Sequence, residues 1–274
     1  MLTRTIVTLI LGPLVLALLF WAPPLLFILF ILVVAELTFV EYLNLIPGLA
    51  ARQRNLMMGL AAAIVAGCSF GPGFLAPLRM LFILIVIFLA LVFQSVVTVT
   101  DNNQALNVVA SSFFGLIYIP FFLALLVPIR FGYEFRLLTD TAGPGRHSIL
   151  FLLLVTWAGD IGAYLVGRFL GRQKLAPSIS PGKTVEGAVA GLACSLCVGF
   201  VYYSVKGSIQ WLIFAVLFNI IGQFGDLFES MLKRGAGVKD SSQRLPGHGG
   251  LLDRLDSLLV CCPVLFLLEV MRGG

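Results

Sequence analysis

Between Ser230 and Asp256 the chain reads SMLKRGAGVKDSSQRLPGHGGLLDRLD. Four cations, Lys233, Arg234, Lys239 and Arg244, lead into a turn in which Pro246, Gly247, Gly249 and Gly250 surround His248. Such a turn can bring backbone N–H groups close to an anion at the start of the helix that follows. Asp253 and Asp256 are three apart, so a helix puts both on one face, where their oxygens can hold a divalent metal. Cations for phosphates and carboxylates for a metal together suit a nucleoside triphosphate, and in a chain otherwise mostly apolar they form a polar site beside a membrane.

Other residues must be brought to this stretch. Asp160, Tyr164 and Arg168 are spaced by four and make one polar face on a helix running toward a loop at 168–184. Gln223, Asp226, Glu229 and Ser230 form a second polar stripe leading straight into Lys233 and Arg234. If Asp226, Asp253 and Asp256 converge, they exceed what one magnesium needs, since it takes one or two carboxylates and completes its octahedron with phosphates and water. Either two cations bind, or one carboxylate orients a neighbouring Arg or Lys. Ser180-Pro181-Gly182-Lys183-Thr184 lacks the glycine spacing of a Walker loop and reads by itself as a helix start capped by Ser180.

The spacing Ser230, Lys233-Arg234, Lys239-Asp240, Ser242, Leu245-Pro246, His248-Gly249-Gly250, Asp253-Arg254, Asp256 resembles the signature of the phosphatidate cytidylyltransferases, the CDP-diacylglycerol synthases. Asp160 with Ala163-Tyr164 and Gly167, then Ser180-Pro181, Lys183-Thr184 and Glu186-Gly187, then Gln223, Gly225-Asp226-Leu227 and Glu229-Ser230 are similar to that family's upstream motifs. The likeness is carried by residues from about 150 onward; before about 130 it is a hydrophobic pattern only. The resemblance implies transfer of cytidylyl from CTP to phosphatidate, with no nucleic acid involved. It implies magnesium, alone or with a second cation, held by Asp226 and Asp253 with Asp256 close by. It implies Lys233, Arg234 and Lys239 balancing charge, and Ser180, Lys183, Thr184, Lys174, Glu186, Asp160, Gly249 and Gly250 around the nucleotide. It also implies a homodimer. A phosphate monoester has a second pKa near ~6, so its oxygen is already an anion at neutral pH and needs no base. His248 is therefore read as a phosphate hydrogen-bond donor or loop organiser.

Composition sets the frame. With 59% hydrophobic and 11% charged residues among 274, the chain is far from a soluble domain, where about a quarter of residues are charged. The expected fold class is all-α, a polytopic membrane bundle of about nine helices at roughly 5–20, 24–40, 56–70, 79–99, 107–128, 148–167, 185–204, 209–229 and 255–271. Residues 1–147 read as a transmembrane scaffold and 148–274 as a catalytic region with loops 168–184 and 230–254. Up to residue 129 the charged residues are Arg4, Glu36, Glu41, Arg52, Arg54, Arg79 and Asp101. Glu36 stands out as a carboxylate inside an apolar run and reads as an interfacial group or helix contact. Lys/Arg counts over nine spans put the N-terminus and both loops in the cytoplasm, the side that holds CTP; without those two loops the bias reverses. The expected location is the inner membrane of a bacterium. The apolar run before Phe20 reads as a retained membrane segment rather than a cleaved signal. Cys194-x-x-Cys197 has no second pair and reads as packing. The rival from another class is a proton-coupled transporter using Asp160, Asp226 and Glu229 as a relay, and a nearer one is a transferase acting on another lipid phosphate.

Overall fold

A computed structural model of the chain describes residues 2–69, 76–98, 102–132, 145–244 and 249–272, with backbone alone described at 2–9, 76–80, 94–98 and 102–105. His248 and the preceding Leu245-Pro246-Gly247 lie outside the described residues.

The elements in order are α1 (Leu2–Trp21), α2 (Pro24–Leu43), α3 (Ala51–Ser69), α4 (Ala76–Thr98), α5 (Asn102–Leu116), a π-helical segment (Ile117–Phe121), α6 (Phe122–Ala124), α7 (Leu126–Phe131), α8 (Arg146–Phe169), strands β1 (Lys174–Ala176) and β2 (Ser180–Thr184), α9 (Val185–Lys206), α10 (Gln210–Gly235) and α11 (Leu252–Met271). The fold is thus almost wholly helical, as composition implied, with one small antiparallel hairpin that periodicity did not announce. In it Lys174 pairs with Thr184 and Ala176 with Ser180. The expected helix start at Ser180 is corrected here. Ser180 belongs to β2, and α9 is capped by Thr184, whose Oγ1 accepts a hydrogen bond from Gly187 N at 3.1 Å.

Among the described residues five helical stretches are long and apolar enough to cross a membrane: Pro24–Leu43, Leu106–Phe131, Arg146–Phe169, Val185–Lys206 and Gln210–Gly235. Apolar stretches at Ile10–Trp21 and Leu81–Phe93 are the parts of α1 and α4 described with side chains, in helices of 20 and 23 residues. Helices do cover the other two expected runs, α3 and α11. Arg52, Gln53 and Arg54 begin the first, while Asp253, Arg254, Asp256 and Glu269 punctuate the second, and such groups are costly in hydrocarbon.

The chain forms two compact units. The first comprises residues 1–146, 240–252 and 266–274. Its α2 packs against α3, α5, α7 and the π segment, burying Phe39, Tyr42 and Ile31. The Tyr42 ring occupies the space that a Cβ at Gly115 would need, and its hydroxyl donates to Ser111 O at 2.8 Å. Pro120, which has no N–H to give, falls in the π segment where the helical ladder changes pitch. Arg130 is fully buried, donates from Nη2 to Ala22 O at 2.6 Å and lies over the rings of Phe27 and Phe131.

The second unit comprises residues 147–239 and 253–265. Small residues let its helices approach closely. A Cβ on Gly191 of α9 would lie 2.8 Å from Gly159 O of α8, and one on Gly225 of α10 would meet Asp256 O and the Val260 side chain of α11. Phe151 packs edge-on to Tyr202 and Trp211, each with ring centroids 4.8 Å away. Polar groups stitch the interior: Asn219 Nδ2 donates to Ser195 Oγ, which donates to Val155 O, both at 2.9 Å. Gln223 Nε2 donates to Asn219 Oδ1 at 2.6 Å and to Ala188 O at 3.1 Å. Cys194 is a packing residue as expected, abutting Gly162, and both it and Cys197 are free thiols.

Candidate active site

Helix α10 provides the backbone of the site. Asp226, Glu229 and Lys233 follow one another at spacings of three and four, so they share a face. Gly222 and Gly225 on the same helix allow α11 to pack beside it, where Ser257 Oγ donates to Gly222 O at 3.1 Å. That contact brings Asp253 and Asp256, in the first turns of α11, to the polar face of α10.

The result is a cluster in which one carboxylate oxygen from each of Asp226, Glu229 and Asp256 lies within 4.8 Å of the others. Two lysines hold its flanks. Lys183, on β2, reaches Asp226 Oδ2 at 2.7 Å. Lys233 is engaged by two carboxylates at once, Glu229 Oε2 at 2.7 Å and Asp253 Oδ1 at 2.5 Å. Glu229 and Lys233 are 1% and 8% exposed, so these charges are desolvated and depend on one another. Glu229 Oε1 is buried and has no hydrogen-bond partner. Asp160 on α8 interacts electrostatically with Asp226, Lys183 and Arg254, and Asp256 with Asp226, Glu229 and Asp160.

Five carboxylates, Asp160, Asp226, Glu229, Asp253 and Asp256, thus stand against three cations, Lys183, Lys233 and Arg254. The spacing of three carboxylate oxygens and the orphaned buried oxygen on Glu229 make a donor set that could hold a divalent cation.

The residues singled out in the sequence are distributed as follows. Asp226 and Asp256 come together. Asp253, expected with them around the ion, pairs with Lys233 at 2.5 Å. Glu229, which the sequence reading did not place among the metal ligands, takes the third place in the cluster; its i+3 spacing from Asp226 was the available signal. Lys183 is present, and Thr184 holds the start of α9. Glu186 accepts backbone hydrogen bonds from Arg172 N and Gln173 N at 3.1 Å, which fixes the hairpin that carries Lys183. Ser180 and Lys174 lie in the two strands, Lys174 exposed. Arg234 donates to Val238 O at 3.1 Å and Lys239 is exposed, so both remain at the loop surface. Gly249 takes φ of +82°, a conformation open to glycine, and Gly250 is buried in the first unit. Gln223, the first residue of the expected polar stripe, belongs to the interior network with Asn219 and Ser195, whose single polar side chains in apolar helices carry no sequence pattern.

The chain is similar to several known proteins. The chain is 48% identical over 146 residues to the phosphatidate cytidylyltransferase of Staphylococcus saprophyticus, and the match covers 51% of this chain and 55% of that protein. It is 44% identical over 143 residues to the protein of the same name from Staphylococcus aureus and 47% over 143 residues to that from Staphylococcus haemolyticus, with the same shares covered. The chain therefore spans little more than half the length of the curated relatives it matches. The sequence model of the cytidylyltransferase family matches residues 2–271, nearly every position that the elements above occupy, and on that match the chain belongs to the cytidylyltransferase family.

Proposed function

We propose that the protein transfers the cytidylyl group of CTP to phosphatidate, forming CDP-diacylglycerol and pyrophosphate for phospholipid synthesis. The observation that carries this reading is the cluster of Asp226, Glu229 and Asp256 flanked by Lys183 and Lys233, in a chain matched by the family along its length. The relatives named above bear the name of that activity.

In the reaction a phosphatidate oxygen attacks the α phosphorus of CTP, the bond from that phosphorus to the α–β bridging oxygen breaks, and pyrophosphate departs with the electron pair. The nucleophile is already ionised at neutral pH, so charge must be neutralised rather than a proton removed. A divalent cation, for which magnesium is the natural choice, would be held by Asp226 and Asp256 beside Glu229 and would neutralise the triphosphate and steady the leaving group. Lys183 and Lys233 screen the remaining phosphate charge. Asp253 acts through Lys233, holding its ammonium in place. Arg234 and Lys239, at the exposed end of α10 and the loop beyond it, draw the nucleotide in from solvent. Substrate and product keep their acyl chains in a bacterial inner membrane, with residues 168–184 and 230–254 on the cytoplasmic side and the protein acting as a homodimer.

The test is purified protein in mixed micelles with labelled CTP and magnesium, with and without phosphatidate. Label entering the organic phase only when phosphatidate and magnesium are both present supports the reading. Label that enters only with an ether-lipid or polyprenyl phosphate replaces the acceptor, and no transfer to any of the three overturns the function.

A further inference from the structure

Glu41 sits two residues before the end of α2, in the half of the chain that carries few charges, and is wholly buried. Its two oxygens accept three hydrogen bonds from a stretch about 200 residues away: Ser242 Oγ donates to Oε1 at 2.6 Å, and Ser241 Oγ and Leu252 N donate to Oε2 at 3.0 and 2.9 Å. Gly250 lies so close that a Cβ there would run into the Ser241 hydroxyl and the Glu41 carboxylate. One turn earlier on α2, Leu37 O accepts from Arg244 Nη1 at 3.0 Å. All of these groups belong to the first unit.

We propose that Glu41 is a positioning residue for the reaction, clasping Ser241 and Ser242 together with Leu252 and fixing where α11 begins. A carboxylate suits this task, because it is acceptor-only and can take two hydroxyls and a backbone N–H at once. Leu252 is the first residue of α11, so its N–H is one that the helix itself leaves unsatisfied, and a negative charge is favourable there. Asp253 is the next residue in the chain, so the clasp sets the start of the turn that presents it. α2 offers a rigid mount, held by the buried side chains of Phe39 and Tyr42. The inference rests on the proposed cytidylyl transfer for its catalytic consequence, but the clasp can be read without substrates.

The experiment compares wild-type protein with Glu41→Gln, Glu41→Asp and the double variant Ser241→Ala/Ser242→Ala, by hydrogen–deuterium exchange without ligand and by kcat and KM for CTP. Glu41→Gln should raise exchange at 241–244 and 249–252 about tenfold or more, in line with loss of a charge-assisted hydrogen bond, while α8 and α9 keep wild-type protection. kcat should fall about tenfold or more with KM for CTP changed less, and Glu41→Asp should recover part of the loss. The serine double variant, which leaves α2 untouched, should loosen the same stretch and keeps the test open if Glu41→Gln does not fold. Wild-type exchange at 241–244 and 249–252, or a uniform rise over the whole chain, overturns the proposal. If exchange responds as expected in a protein that transfers no cytidylyl, the clasp stands and the function falls.

Discussion

Lys233 Nζ lies 2.5 Å from Asp253 Oδ1, across 20 positions of sequence and from one helix to the next, while also holding Glu229 at 2.7 Å. A single ammonium thus serves two largely buried carboxylates. Removing it takes this ammonium away from both, and breaking a buried pair in this way typically costs about 3–5 kcal/mol. Lys233→Met should lower the thermal midpoint in detergent and reduce cytidylyl transfer at least about a hundredfold. A variant with wild-type melting and turnover would remove Lys233 from the site.

The same pair divides the acidic residues by role. Asp226→Asn and Asp256→Asn should each raise the magnesium concentration for half-maximal activity about tenfold or more. Asp253→Asn should instead lower turnover with that midpoint little changed, because its partner is Lys233. A magnesium titration of the three variants separates the roles, and equal shifts in all three would make Asp253 a direct ligand.

Chelation gives a direct check on the cation. Dialysis against EDTA should abolish transfer, and added magnesium should restore it. Calcium should restore it poorly, because its coordination is larger and less regular than magnesium's octahedron. Undiminished activity in EDTA would sink the metal reading.

Gly225 marks the crossing of α10 and α11 directly beside Asp226. A Cβ there would meet the Asp256 carbonyl oxygen, which is backbone and cannot swing away. Gly225→Ala should cost about 1–3 kcal/mol of stability and raise the magnesium requirement by spreading Asp226 from Asp256. Gly235→Ala, where a Cβ meets nothing within 4 Å, is the control and should leave both unchanged.

Thr184 starts α9 by accepting from Gly187 N. Thr184→Ala should cost about 1 kcal/mol, seen as a lower melting midpoint, and Thr184→Ser should restore most of it because the hydroxyl returns. Equal melting of all three proteins would mean the cap contributes nothing.

The sequence by itself determined a helix-dominated membrane chain and the polar stripe from Asp226 through Glu229 to Lys233, because apolar run length and i, i+3, i+4 spacing are local properties of one helix. It also determined family membership, carried by motifs that stay close together in the chain. Tertiary structure alone decided that Glu229 rather than Asp253 completes the carboxylate cluster, and that Asp253 holds Lys233. Both residues are acidic and suitably spaced, and only the rotation of α11 against α10, set by the close approach at Gly222 and Gly225, assigns their oxygens. The hairpin at 174–184 escaped for a similar reason: it is short, and Glu186 ties down its entry through backbone N–H groups that no side-chain pattern records. Glu36 drew attention as a carboxylate in an apolar run, yet its neighbour five positions on makes the long-range bonds. No local rule distinguishes Glu36 from Glu41, since the donors at Ser241, Ser242 and Leu252 arrive only when the chain folds back onto α2.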